Sequence, residues 1–256
     1  MSNNALNESF NNGVGAISNA YNVDTSVPGE IKLAGNSAAM EWATGTDAGH
    51  GYGTYTITAK VDGNQPGPAI ILWPGDNQWP GQEIDMMEIT PDGSGRQYGT
   101  VHWNGGGDAY NTAIFDDVGG GWHTYQATWE PGRISFSVDG AYKGSITDHV
   151  PADHDHGGMN NTIGFLNNNG NTSITVSDVS FSPSGGGGGS SAQASTATAL
   201  AQQDTSVAVA AAPQDTPAPA PAASAPVDWN ALAAEVNAYH DAHGYYSTVN
   251  SDWSLT

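Results

Sequence analysis

Short runs of alternating apolar and polar residues recur along the first two thirds of the chain. They are separated by Gly, Asn and Asp, and the clearest runs are 53–61, 123–129, 133–138 and 172–181. A period of two is typical of strands with one buried face. Asp139 and Gly140 stand between two such runs, which predicts a hairpin. Because residues 1–183 show no convincing helical stripe, we expect an all-β sandwich of two antiparallel sheets.

The pattern changes after Pro183 and divides the chain into three parts. Residues 1–183 form the predicted β-domain. Residues 184–227, rich in Gly, Ala, Ser and Pro, predict a flexible linker, because they hold too little apolar surface to offset the entropy of ordering. In 228–256, Asp228 is a candidate N-cap and apolar residues follow at helical spacing up to Gly244. We expect one short amphipathic helix and a tail there.

Composition excludes several classes of function. Lys and Arg number 5 against 26 Asp and Glu, which gives a net charge of −21. Nucleic acid is therefore not an expected partner, and neither is an anionic membrane surface. No window is apolar and long enough to predict membrane insertion. The absence of Cys excludes disulfides, thiolate metal sites and Cys nucleophiles.

The densest chemical signal is the segment around Glu83, Asp85 and Glu88. Glu83 and Asp85 are two residues apart, so a strand places both on one face. Glu88 has the opposite parity, and a β-bulge between Asp85 and Glu88 is needed to bring it to the same face. Neighbouring carboxyls resist joint ionisation, so their pKa values diverge. Glycoside hydrolysis uses this difference, because one ionised carboxylate attacks the sugar while a second, protonated carboxyl donates its proton to the leaving oxygen. The alternative is an acidic edge strand that faces solvent.

Tryptophans lie close to this segment in sequence. Aromatic rings stack on the apolar faces of sugars, although any one Trp is more often part of a core. The candidates for substrate binding are Trp73, Trp79, Trp103 and Trp122.

Several sequence blocks, in order, resemble glycoside hydrolase family 16. The resemblance covers roughly residues 8–182, and the blocks include 53–60, 68–74, 79–88, 101–103, 122–129 and 133–140. Its centre is E-x-D-x-x-E after W-P, the bulged form of the motif. The resemblance implies a concanavalin A-like β-jelly roll and a retaining, endo-acting hydrolase of β-1,3 or mixed β-1,3-1,4 glucan. By this resemblance Glu83 is the nucleophile, Glu88 the general acid/base, and Asp85 the residue that tunes the pair.

The same resemblance assigns further residues. His102 matches a family histidine close to the acid/base; the alternative is a core histidine satisfied by the backbone. Trp79 and Trp103 match residues beside the scissile bond, whereas the block around Trp122 mainly matches a structural strand. Ile70 and Ile71 replace the usual aromatic pair, so the choice of substrate is the least defined inference.

The resemblance implies no cofactor for catalysis and a structural calcium ion in many members. Asp178 and Gly53 stand at matching places, and Glu8 is a third candidate ligand from the N-terminal strand. Oxygen ligands of this kind suit Ca²⁺. The alternative for an Asp near a strand end is an ordinary turn residue.

The chemistry predicts an extracellular, monomeric protein whose partner is a polysaccharide. The first ten residues lack the basic start and apolar run of a signal peptide, so an export signal would lie elsewhere or have been removed. Residues 228–256 resemble the C-terminal signals of type I secretion, and a docking helix is the equal alternative. The rival functions are a depolymerase of bacterial exopolysaccharide and a non-catalytic carbohydrate-binding module on the same fold.

Overall fold

The computed structural model describes residues 5–41, 49–76, 80–116, 118–153 and 160–184. These residues contain twelve β-strands and no α-helix. The strands are β1 Leu6–Glu8, β2 Asn19–Asp24, β3 Ile31–Met40, β4 Gly53–Asp62, β5 Pro68–Trp73, β6 Ile84–Ile89, β7 Gln97–Asn104, β8 Asp108–Phe115, β9 Gly121–Glu130, β10 Arg133–Val138, β11 Ala141–Ile146 and β12 Thr162–Pro183. Within the described ranges no helix is long and apolar enough to cross a membrane.

Alternation along the strands sets which side chains enter the core. On β4, Tyr55, Ile57 and Ala59 are fully buried, and the residues between them are only partly covered. On β9, Tyr125 and Trp129 point inward in the same way. The predicted all-β class is therefore confirmed, and its core is the apolar set that the period of two selects.

The strands form one continuous antiparallel path rather than two separate sheets. The order is β11-β10-β9-β4-β12-β5-β6-β7-β8, and every pairing is antiparallel. The 22-residue β12 joins the two layers, because its first part pairs with β5 and its second part pairs with β4. The two ends of the path, β8 and β11, lie against each other, so the sheet curves around its own core.

The hairpin predicted at Asp139 and Gly140 joins β10 to β11. Both residues have positive φ, 53° and 75°, as the tight turn requires. The Asp139 carboxylate accepts the backbone N–H of Thr124 at 2.8 Å and lies 2.7 Å from Nδ1 of His123. These contacts tie the turn to β9.

Two parts of the sequence-based account lie outside the described residues. They are residues 185–256, which hold all but the first residue of the linker predicted for 184–227 and the whole of the helix and tail predicted for 228–256, and Trp79. The division into three segments stays a prediction. Within the described part, β12 ends at Pro183, next to the predicted end of the β-domain.

Candidate active site

The carboxylate segment lies on β6, in the interior of the sheet. β6 pairs with β5 on one side and β7 on the other, and Glu83 immediately precedes it. Glu83 and Asp85 are buried, with 7% and 4% of their surface exposed. An acidic edge strand is solvent-exposed by definition, so the alternative considered for these residues is excluded.

The β-bulge that the residue spacing requires is present. Asp85 lies opposite Thr100 on β7, whereas Glu88 lies opposite Tyr98, so three steps on β6 match two on β7. The Thr100 hydroxyl donates a hydrogen bond to Oε1 of Glu88 at 2.5 Å, although Thr100 is the register partner of Asp85. Thr100 therefore links the two acidic positions, and Glu88 joins the face that carries Asp85.

Burial and mutual repulsion perturb all three carboxyls. Burial, and after it the Asp85 carboxylate, raises the pKa of Glu83 well above its ordinary value. The same two causes, in the same order, raise the pKa of Glu88 to about 7. Burial also raises the pKa of Asp85, and the hydrogen bond from His102 opposes that effect. The cluster therefore holds protons at a pH where exposed carboxyls are ionised.

His102 lies between two carboxylates from different strands. Its Nε2 is 3.0 Å from Oδ2 of Asp85, and its Nδ1 is 2.9 Å from Oδ1 of Asp108. Burial lowers the pKa of His102, but the hydrogen bonds to Asp108 and Asp85 outweigh it and raise that pKa to about 12. Both ring nitrogens are thus held by side chains, unlike those of a core histidine satisfied by the backbone.

The backbone around the site is fixed by a buried amide. Asn161 is fully buried, and its Nδ2 donates to the carbonyl of Leu72 at 2.8 Å and to that of Gln82 at 2.9 Å. The carbonyl of Glu83 accepts the backbone N–H of His102 at 2.9 Å. Glu83 is therefore anchored on both sides of its Cα, although it precedes the regular strand.

Trp73, one of the tryptophans predicted to bind substrate, lies on the same face of the sheet as the carboxyls. Ile71 is the register partner of Asp85, and Trp73 is two residues further along β5, toward Glu83. Paired residues of adjacent strands point to the same side of a sheet, as do residues two apart. Trp73 is half-buried there.

Trp103 leaves β7 on the side opposite His102. Its ring stacks on His149, with centroids 3.9 Å apart and an interplanar angle of 6°. Both residues line an open cavity of about 620 Å³, which also borders Pro80 and Gln82. Trp103 therefore borders the segment that leads into Glu83, without facing the carboxyls as His102 does.

Trp122 is placed away from the carboxyls. Trp122 is 42% exposed on β9. Residues of the opposite parity on this strand, such as Tyr125 and Trp129, fill the core, so Trp122 lies on the outward face. β6 packs against β9 from the other side of that core. Trp122 is therefore not among the residues that the structure brings to the carboxyls, and the reason is its parity on β9.

Tyr110 is a candidate cleft residue that the sequence analysis missed. It is the register partner of His102 on β8, its ring centroid is 5.8 Å from that of His102, and 60% of its surface is exposed. Ile114 is exposed on the same face of β8. The sequence signal that could have found them is parity, because the polar Asp108 and Thr112 mark the outward face of the strand and Tyr110 and Ile114 share that face.

The three residues predicted to hold calcium are not gathered at one point. Gly53 is opposite Pro183, whereas Asp178 is opposite Thr58, five residues along β4 from Gly53. Five residues of a strand span about 16 Å. The Glu8 carboxylate already accepts the backbone N–H groups of Ser9, Phe10 and Ala16, at 2.8 to 2.9 Å. These residues therefore do not fit a common calcium site.

Ligand-type atoms also lie close together in the carboxyl cluster. One atom each from Glu83, Asp85 and His102 lie within 4.8 Å of one another. A metal would need a lone pair on His102, and both ring nitrogens are directed at carboxylates instead. The geometry favours proton transfer and charge stabilisation over metal binding.

Comparison with known proteins agrees with this geometry. The family model described as glycosyl hydrolases family 16 matches residues 11–163, more than half of the chain. The chain is 30% identical over 147 residues to a β-glucanase of Paenibacillus macerans, a match that covers 52% of this chain and 59% of the relative. A β-glucanase of Bacillus amyloliquefaciens is 29% identical over 140 residues, covering 52% of this chain and 58% of the relative. The chain thus spans less than two thirds of the length of these relatives.

Solved structures show the same fold. A β-glucanase of Bacillus licheniformis has a TM-score of 0.55 at 18% identity, with 72% of this chain and all of that chain covered. A prokaryotic β-1,3-1,4-glucanase (lichenase) from a mouse hindgut metagenome has a TM-score of 0.50 at 18% identity, covering 70% and 99% of the two chains. The predicted β-jelly roll is confirmed.

Proposed function

Because the chain belongs to glycosyl hydrolase family 16, we propose that it hydrolyses β-1,3 or mixed β-1,3-1,4 glucan within the polymer and with retention of configuration. The observation that carries the proposal is the bulged β6, which brings Glu83, Asp85 and Glu88 to one face of the sheet and surrounds Glu88 so that its pKa rises to about 7, as a general acid requires. The β-glucanase relatives favour glucan as the substrate.

In the first step an ionised Glu83 oxygen attacks the anomeric carbon of the bound sugar. The bond from that carbon to the glycosidic oxygen breaks, and the Glu88 carboxyl transfers its proton to the leaving oxygen. The products are a covalent glycosyl ester of Glu83 and a shortened glucan. A pKa of about 7 keeps Glu88 protonated in mildly acidic solution, as a general acid requires.

In the second step the roles of the acidic residues reverse. The Glu88 carboxylate removes a proton from water, the water oxygen attacks the anomeric carbon, and Glu83 leaves as a carboxylate. Two inversions at one carbon give net retention. Asp85 supports both steps through Glu88: its negative charge raises the pKa of Glu88, which keeps that carboxyl protonated as the acid of the first step and makes it a stronger base in the second.

His102 balances the repulsion within the cluster. Its positive charge lowers the pKa of Glu83 and of Glu88, against the larger effects of burial and of Asp85. The three carboxyls therefore ionise in coupled steps rather than independently. The reactive form is the one in which Glu83 is ionised and Glu88 keeps its proton.

The test is hydrolysis of laminarin, lichenan and bacterial exopolysaccharides by the wild-type chain, Glu83→Gln and Glu130→Gln. Glu130 lies exposed at the end of β9 and provides the matched control. We expect wild type and Glu130→Gln to cleave the glucans, and Glu83→Gln to bind them without cleavage. Cleavage restricted to an exopolysaccharide would establish the depolymerase instead, and binding without cleavage by wild type would establish a non-catalytic module.

A further inference from the structure

The contacts of His102 require a particular state of its ring. A neutral imidazole has one N–H and can donate only one hydrogen bond, whereas both nitrogens of His102 face carboxylate oxygens. When Asp85 and Asp108 are both ionised, both contacts are favourable only for the imidazolium. Asp85 belongs to the carboxyl cluster, and Asp108 is the partner with no role in the mechanism given above.

A short glycine turn brings Asp108 to His102. β7 ends at Asn104 and β8 begins at Asp108, with three glycines between them. The N–H of Gly105 donates to the carbonyl of Gly107 at 2.9 Å, and Oδ1 of Asn104 accepts the N–H of Gly106 at 3.0 Å. Gly106 has φ 92°, a conformation that favours glycine. The turn is thereby fixed, and so is the position of Asp108 at the start of β8.

Asp108 and Asp85 differ in their surroundings. The Asp85 side chain is 5% exposed, and burial raises its pKa. The Asp108 side chain is 31% exposed and reaches solvent at the rim of the site. Asp108 is thus the partner of His102 that stays in contact with water while it accepts the hydrogen bond from Nδ1–H.

We propose that Asp108 is a positioning residue for this active site: by accepting Nδ1–H, it holds His102 charged and directs Nε2–H at Asp85. In this arrangement the proton shared by His102 and Asp85 stays on His102, and Asp85 stays ionised between the two glutamates. The catalytic part of the inference rests on the proposed hydrolase function, whereas the state of the ring does not.

The electrostatic surroundings of His102 agree with this role. The charged or titratable groups that face it come from the β6 segment and from β8, and they are Glu83, Asp85, Glu88, Asp108 and Tyr110. All five are acidic or neutral, so His102 is the one cation of the described cluster. Loss of its charge would remove the interaction that lowers the pKa of Glu83.

The test combines ring ¹⁵N NMR with kinetics on the full-length chain, for wild type, Asp108→Asn, Asp108→Glu and Asp139→Asn. Asp139→Asn is the matched control, because Asp139 contacts Nδ1 of another histidine, His123, at 2.7 Å, away from the carboxyls. In wild type we expect both ring nitrogens of His102 to carry protons from pH 5 to pH 9. In Asp108→Asn the ring should lose a proton within that range, and Asp108→Glu should restore the wild-type spectrum.

The kinetic expectation is a split between kcat and KM. Asp108→Asn should lower kcat 10- to 100-fold, as expected for the loss of a charged hydrogen-bond partner, with little change in KM. Asp108→Glu should recover most of kcat, and Asp139→Asn should match wild type.

The proposal is overturned by an unprotonated ring nitrogen in wild type at pH 7, a measurement that needs no variant. It is equally overturned if Asp108→Asn changes the ring without changing kcat, or lowers kcat without changing the ring. A wild-type chain inactive on every glucan would overturn the proposed function instead, and the ¹⁵N spectra would still decide whether Asp108 holds the charge on His102.

Discussion

The raised pKa of Glu88 has a consequence for stability that can be measured without a substrate. A carboxyl whose pKa is higher in the folded than in the unfolded chain stabilises the fold when protonated. That contribution is complete below the unfolded pKa and is lost as pH rises through the folded pKa. For Glu88 these values are 4.5 and about 7, so the loss occurs mainly between pH 4.5 and pH 7.

The magnitude follows from the two pKa values. At about 1.4 kcal/mol per pKa unit, a difference of about 2.5 units corresponds to about 3 kcal/mol of unfolding free energy. Glu88→Gln keeps the shape of the side chain and removes its ionisation. Relative to the variant, wild type should therefore lose about 3 kcal/mol of stability between pH 4 and pH 8.

The assay is urea unfolding of wild type, Glu88→Gln and Glu130→Gln at pH 4, 6 and 8. Glu130→Gln should follow wild type, because this residue is exposed on β9. If wild type and Glu88→Gln show the same dependence on pH, Glu88 is not held protonated by its surroundings, and its assignment as the acid loses its physical basis.

Two further variants test individual contacts of the site. Thr100→Val removes the hydroxyl that lowers the pKa of Glu88, so the alkaline limb of kcat/KM should move up by about one pH unit; an unmoved limb would show that this contact does not set the acid's pKa. Tyr110→Ala removes the exposed ring beside His102 and should raise KM for the polymer about 3- to 10-fold with a smaller change in kcat. Tyr142→Ala is its control, because Tyr142 is exposed on β11 and pairs with the outward Ser137; equal effects of the two variants would argue against a sugar contact at Tyr110.

The carboxyl arrangement could be predicted from residue numbers because the parity of a strand is strict. Glu83 and Asp85 share a face in any register, and Glu88 can join them only through a bulge, which the structure contains. The same rule applied to β9 would have placed Trp122 outside, since Tyr125 and Trp129 have core parity. Trp122 is close to the carboxyl segment in sequence, but alternation along β9 decides on which face its ring lies.

The placement of Asp108 and Tyr110 beside His102 depends on the register between two strands. The hydrophobic pattern of a single strand does not determine that register. Asp108 and Tyr110 reach His102 only because the glycine turn sets how β8 pairs with β7. A local pattern on 108–115 shows that Tyr110 is exposed, but not which residue lies beside it.

The sequence pattern also does not predict that a single strand, β12, joins the two layers. The polar stretch from Asn167 to Thr172 has the composition of a loop, yet it lies within β12. Asn167 explains this, because its Nδ2 donates to the carbonyl of Gly35 at 2.6 Å and its Oδ1 accepts the Thr172 hydroxyl at 2.7 Å. Side-chain hydrogen bonds to β3 and within β12 thus satisfy the polar groups of a segment that has few apolar residues to bury.

In the proposed mechanism, Glu83 and Glu88 act as nucleophile and acid/base on one sugar. The most direct measurement is ¹H NMR of the products in the first minutes of glucan hydrolysis, before the new reducing ends equilibrate. We expect the β-anomer to form first, and Glu83→Gln to form none of it. Initial formation of the α-anomer would contradict the double displacement and the role of Glu83 in it.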